Sequence, residues 1–144
     1  MFKKKKTFLI ICSDYLRTKW LKKHLEEKYN LLIAKTPLDA IEFTKNTLTN
    51  YIIIDSIIEN IDILDLCKKL RKNTFSSHAT IILITDKLKK DFRKKAKFAG
   101  VSGFLNDDLN DDELLFQIEQ ANKGKISRNK VDYISKINPL HKKK

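Results

Sequence analysis

The sequence predicts an α/β fold, a doubly wound five-stranded parallel sheet with helices on both faces, and two observations carry that prediction. Four apolar runs, Phe8 to Cys12, Tyr51 to Ile54, Thr80 to Thr85 and Val101 to Leu105, are bounded by polar residues and are too short for helices, the pattern of strands buried on both sides. Between them lie segments whose apolar residues recur at helical spacing. Alternation of this kind gives right-handed crossovers and a parallel sheet.

Taken in order, the first strand follows the lysines Lys3 to Lys6 and runs from Phe8 to Cys12. This start imitates the charged and apolar regions of a signal peptide, but the apolar run is too short, ends at Asp14 and has no small-residue cleavage site. A helix is expected over Leu16 to Lys28, where Trp20, Leu21 and Leu25 share a face, then a weaker strand over Leu31 to Ala34. Leu38 to Asn46 reads as the second helix, with Ala40, Ile41 and Phe43 inward, Thr36 as its cap and Pro37 at its first position, where a missing N–H costs nothing. Asp55 closes the third strand. Gly100 ends the fourth helix, and Asn110 caps the last, with Glu113 completing a capping box and Asp111 and Asp112 favouring the positive end of the helix dipole.

At 144 residues the chain has room for one domain, and its +12 charge is unevenly spread. Residues 1–7 net +4 and residues 123–144 net +7, which leaves +1 for residues 8–122. The expected division is therefore a basic N-terminal extension (1–7), a domain (8–122) and a basic C-terminal tail (123–144), with polyanion affinity sought in the tails first. Cys12 and Cys67 have no disulfide or zinc spacing and point to a reducing compartment, hence a cytoplasmic address. No run reaches the roughly eighteen apolar residues of a membrane helix.

In a doubly wound sheet, ligand chemistry collects at the carboxyl ends of the strands, which singles out Cys12 to Asp14, Asp55, Thr85, Asp86, Asn106 and Asp107. Phe8-Leu9-Ile10-Ile11 ahead of the Cys12–Asp14 loop, Asp55 after the third strand, Thr85 after the fourth and Phe104 in the fifth are ordered and spaced as in one family. So are the stretches Asp62 to Arg71, which looks like a third helix with Ile63 where a glycine is usual, and Ala99 to Leu105. From Phe8 to about Asn122 the chain resembles the receiver domain of bacterial response regulators, most closely the stand-alone chemotaxis type. The resemblance implies a flavodoxin-like (βα)5 fold with strand order 2-1-3-4-5, Asp55 as candidate phosphoacceptor, Thr85 and Phe104 as candidate switch residues, and a role in two-component phosphorelay signalling rather than an enzyme's.

In such a site an acidic pair and the phosphoacceptor hold Mg²⁺ through oxygen ligands while a lysine neutralises the phosphoryl group. Here Cys12 and Ser13 stand at the acidic pair, and Asp107 and Asp108 stand where the lysine and its following proline belong. A thiol and a hydroxyl are poor ligands for Mg²⁺, and Asp14, one residue on, is with Asp55 the remaining metal candidate. Lys87 is a candidate replacement for the lysine, and Asp14, Asp55 and Asp107 are expected to converge with Asp86 near by.

Asp55 has three readings at this point: a cap for its own loop, a phosphate acceptor, or a member of a phosphate-independent carboxylate cluster. Cys12 reads as a small buried hydrophobe. His24, His78 and His141 are scattered and support no catalytic or metal assignment. The partner face is expected over residues 87–113, where seven basic residues between Lys87 and Lys97 precede Asp107, Asp108, Asp111, Asp112 and Glu113. A histidine kinase or a downstream target is the expected partner there. The tail, with Tyr133, Ile134, Ile137 and Leu140 among its basic residues, is too short for a DNA-reading output domain but suits a polyanion, an acidic protein or a membrane surface.

The reading that follows is an atypical stand-alone receiver acting through protein–protein interaction, with phosphotransfer to Asp55 impaired or absent. One alternative is a working phosphoprotein in which Asp14 and Lys87 restore the site. The other is a nucleic-acid-associated protein that binds through its basic tails.

Overall fold

The computed structural model describes residues 4–55, 62–85, 90–108 and 110–126. Asp86, Lys87 and the tail residues Tyr133, Ile134, Ile137 and Leu140, named above, lie outside them. In chain order the elements are β1 (Lys6–Ile11), α1 (Tyr15–Leu25), β2 (Tyr29–Ala34), α2 (Pro37–Asn46), β3 (Tyr51–Asp55), α3 (Ile63–Lys72), β4 (Thr80–Ile84), α4 (Lys90–Phe98), β5 (Gly103–Leu105) and α5 (Asp111–Ile126). The strands form one parallel sheet in the order β2-β1-β3-β4-β5, as the sequence predicts.

Strand alternation sorts the core into two layers. Leu9, Ile11, Ile52, Ile54, Ile81 and Leu83 pack with Ala40 of α2, Leu66, Cys67 and Leu70 of α3 and Ala96 of α4. On the opposite face Phe8, Ile10, Tyr51, Ile53, Ile82 and Ile84 pack with Leu21 and Leu25 of α1 and Leu114, Ile118 and Ala121 of α5. β3 and β4 are buried along their whole length, which is why they read as unbroken apolar runs.

The element ends differ from expectation for local reasons. β1 begins at Lys6 rather than Phe8, because Lys6 and Thr7 pair with Tyr29 and Asn30. It stops at Ile11, and Cys12 only donates its N–H to the Ala34 carbonyl. β2 is an edge strand with exposed or half-buried residues up to Ala34, so its apolar signal is diluted and it starts two residues before Leu31. β5 shrinks to three residues because the Val101 N–H closes onto the Ala96 carbonyl at the end of α4. α1 ends at Leu25, not Lys28.

The caps stand where the sequence puts them. Thr36 accepts from the Asp39 N–H with Pro37 at the first turn, and Asn110 and Glu113 exchange side-chain-to-backbone hydrogen bonds of 3.0 and 3.1 Å. Gly100 ends α4 at a φ of +107°, a left-handed conformation that favours glycine. A side chain there would also collide with Arg71. That arginine leaves α3 and donates to the carbonyls of Ser77, Ala79 and Gly100, joining the amino ends of β4 and β5 at the edge opposite the candidate site.

Candidate functional site

Register sets the site. Ile11 lies beside Ile54, so the residues that follow them, Cys12 and Asp55, leave adjacent strands at the same rim. Both have the parity of Ile10 and Ile53, which places them on the face covered by α1 and α5. Asp55 is only 2% exposed, and its Oδ2 lies 3.5 Å from the Cys12 sulfur, whose single S–H is shared with the Asp14 carbonyl at 3.6 Å. Burial first, and the nearby Asp55 charge further down, raise the Cys12 pKa above that of a free thiol, so the group is a protonated donor at neutral pH.

α1 brings the next residues in. Asp14 is its N-cap: Oδ2 accepts from the Arg17 N–H at 2.7 Å, and its carbonyl accepts from the Thr18 hydroxyl at 2.8 Å. With the helix started there, Arg17 falls on the same stripe as the buried Leu21 and Leu25, at the end nearest the rim. Its Nε lies 3.6 Å from Oδ2 of Asp55 as an ion pair, and its terminal nitrogen donates to the Asp107 carbonyl at 3.0 Å. Its guanidinium also stands 5.8 Å from the ring of Trp20.

Sequence reading missed Arg17 as a member of the site, although its place four and eight residues before Leu21 and Leu25 is the signal that could have found it. The expected convergence of Asp14, Asp55 and Asp107 takes a different form. Arg17 bridges the Asp55 carboxylate and the backbone of Asp107, while the side chains of Asp107 and Asp108 are exposed.

Beyond the pocket, Trp20 donates from Nε1 to Oδ1 of Asp111 at 2.6 Å, tying α1 to the start of α5. His24 Nε2 sits 3.1 Å from the same oxygen without hydrogen-bond alignment. The Trp20 hydrogen bond, aided by His24 and Lys23, holds the Asp111 carboxyl below the usual range. Thr85 is buried at the end of β4, its N–H donating to the Leu105 carbonyl. Phe104 is half-buried against the α2–α4 layer and lines a 180 Å³ pocket with Leu105, Asn106, Asp108, Glu113 and Gln117.

This donor set does not suit Mg²⁺. The Cys12 thiol and the exposed Ser13 hydroxyl are poor ligands for it, Oδ2 of Asp14 is engaged in the cap, and a guanidinium lies beside Asp55. Among the described residues, no three His, Cys, Asp or Glu side chains are grouped to hold a metal ion.

Residues 8–119 match the response regulator receiver domain family. The chain belongs to that family. A receiver fold is also what the solved structures show. A CheY-like receiver domain protein from Methanospirillum hungatei superposes with a TM-score of 0.74 at 21% identity, covering 86% of this chain and 98% of that one. The chemotaxis response regulator CheY4 of Vibrio cholerae gives 0.75 at 16% identity, covering 81% of this chain and 98% of that one. A curated relative, histidine kinase P4 of Formosa agariphila, is 24% identical over 117 residues, which are 81% of this chain and 8% of that protein. This receiver is a component of two-component signalling, and none of its described helices is long and apolar enough to cross a membrane.

Proposed function

We propose that this receiver works as a non-enzymatic, cytoplasmic protein-interaction module whose phosphotransfer to Asp55 is impaired or absent. The observation that carries the reading is the Cys12 thiol on Oδ2 of the buried Asp55, where Mg²⁺-dependent transfer requires a metal-bound carboxylate. Asp107 adds to it: a phosphoryl group at Asp55 would meet a negative charge after β5 in place of the family's lysine. Thr85 and Phe104 then serve as packing residues rather than as a phosphate-driven switch.

The partner surface in this reading is the two-toned face of α4, β5 and α5. Arg93, Lys94, Lys95 and Lys97 are exposed on α4, and Asp107, Asp108, Asp111, Asp112 and Glu113 are exposed at the start of α5. Phe98 is 90% exposed at the end of α4 and supplies an apolar anchor between them. A signalling protein such as a histidine kinase or a downstream target fits this face, with the basic tail of residues 123–144 adding affinity for an acidic partner.

Acetyl phosphate with Mg²⁺, followed by intact-mass measurement, tests the reading. The expected result is an unmodified chain. A phosphate-sized mass increase that disappears in Asp55→Asn establishes the working phosphoprotein instead.

A further inference from the structure

Asp55 is 2% exposed, so its carboxylate has little water around it, and a positive charge beside it offsets the cost of burial. The family's two sources are a divalent cation held by acidic residues and a lysine after β5. Cys12, Ser13 and Asp107 remove both. Arg17 reaches the pocket from α1 with its Nε 3.6 Å from Asp55 Oδ2.

The placement of this guanidinium is over-determined. Its terminal nitrogen is held by the Asp107 carbonyl at 3.0 Å, its central carbon stands 5.8 Å from the centre of the Trp20 ring, and its own backbone N–H is fixed by the Asp14 cap. The side chain is 21% exposed, so water screens it only in part. A divalent ion at Oδ2 would therefore stand against a fixed like charge.

We propose that Arg17 is a resident cation of the Asp55 pocket. It takes over the charge compensation that a divalent ion and a lysine give other receivers, and it keeps a divalent ion out. Cys12 completes the arrangement by placing a thiol, shared between this oxygen and the Asp14 carbonyl, where a carboxylate would add negative charge. The Arg17–Asp55 pairing then does not depend on the Mg²⁺ concentration. This deepens the preceding reading and rests on it, since a pocket neutralised by its own arginine has no use for metal-dependent transfer.

Mn²⁺ binding, followed by the electron paramagnetic resonance of the free ion and by quenching of Trp20, the chain's single tryptophan, tests the exclusion. Wild type and Cys12→Asp should bind weakly, and Cys12→Asp combined with Arg17→Ala should bind at least about tenfold more tightly than Cys12→Asp alone. Equal affinity of those two variants overturns the proposal.

Urea unfolding of Arg17→Ala, Asp55→Asn and the double variant gives a second, metal-free readout. The drop in midpoint caused by Arg17→Ala should shrink in the Asp55→Asn background, and Arg17→Lys should restore part of it. Additive shifts overturn the proposal while leaving the phosphotransfer reading intact if wild type stays unmodified by acetyl phosphate. Phosphoryl uptake that Arg17→Ala abolishes defeats both, because Arg17 would then be binding the phosphoryl group.

Discussion

Two residues outside the pocket, Arg71 and Cys67, carry consequences as sharp as those of Asp55. Arg71 satisfies the carbonyls of Ser77, Ala79 and Gly100, so Arg71→Ala leaves three acceptors to find water or go unpaired. The expected loss is about 2–4 kcal/mol in urea unfolding, and a loss within about 0.5 kcal/mol would show that water replaces the clamp. Cys67 is on the buried face of α3, and burial pushes its thiol up to about 12. In the unfolded chain it ionises at about 8.5, so its stabilisation is full below that pH and is lost as pH rises toward the folded value. Cys67→Ala should therefore flatten the alkaline decline by about 1.4 kcal/mol per pH unit between about pH 9 and 11. Part of the decline should remain, because burial also raises the pKa values of Cys12, Tyr29 and Tyr51. Unfolding free energies of both proteins across that range decide the point, and parallel slopes would contradict it.

At the scale of elements, the start of α5 joins fold and site. Asn110 and Glu113 cap it, and Asp111 takes the Trp20 hydrogen bond that holds α1 alongside. Asn110→Ala should cost about 1 kcal/mol and lower the thermal midpoint, whereas Asn110→Asp should cost much less because the cap survives. Identical losses in the two variants would mean that the cap contributes nothing. These boundaries were legible because capping chemistry is local: Thr36 with Pro37, and Asn110 with Glu113, need only their own neighbours. β3 and β4 were legible because both faces of each strand are buried. β2 was faint because an edge strand buries less. Arg17 and Arg71 were not legible as functional contacts, since an arginine in a helix normally faces water. Both lie on core-facing stripes, Arg17 with Leu21 and Leu25 and Arg71 with Cys67, yet what each one meets is set by strands and loops distant in sequence.

At the scale of the whole molecule, charge and chemistry are separated. The two ends of the chain, residues 1–7 and 123–144, carry +11 of the +12 charge, while the pocket balances Asp55 with Arg17 inside the fold. Residues 4–126 contain every described strand and helix, and we expect them to unfold in one cooperative transition. Most retention on a polyanion resin, and most of its salt dependence, should be lost with residues 127–144. Undiminished retention by residues 4–126 would transfer that binding to Arg93, Lys94, Lys95 and Lys97 of α4. The central claim is that the Asp55 pocket is already neutralised and does not accept a phosphoryl group. Its most direct test is the amide NMR spectrum of the full chain with and without beryllofluoride and Mg²⁺. The account predicts superimposable spectra, with Asp55, Thr85, Phe104 and the start of α5 unmoved. Saturable shifts at those residues, absent in Asp55→Asn, would contradict it.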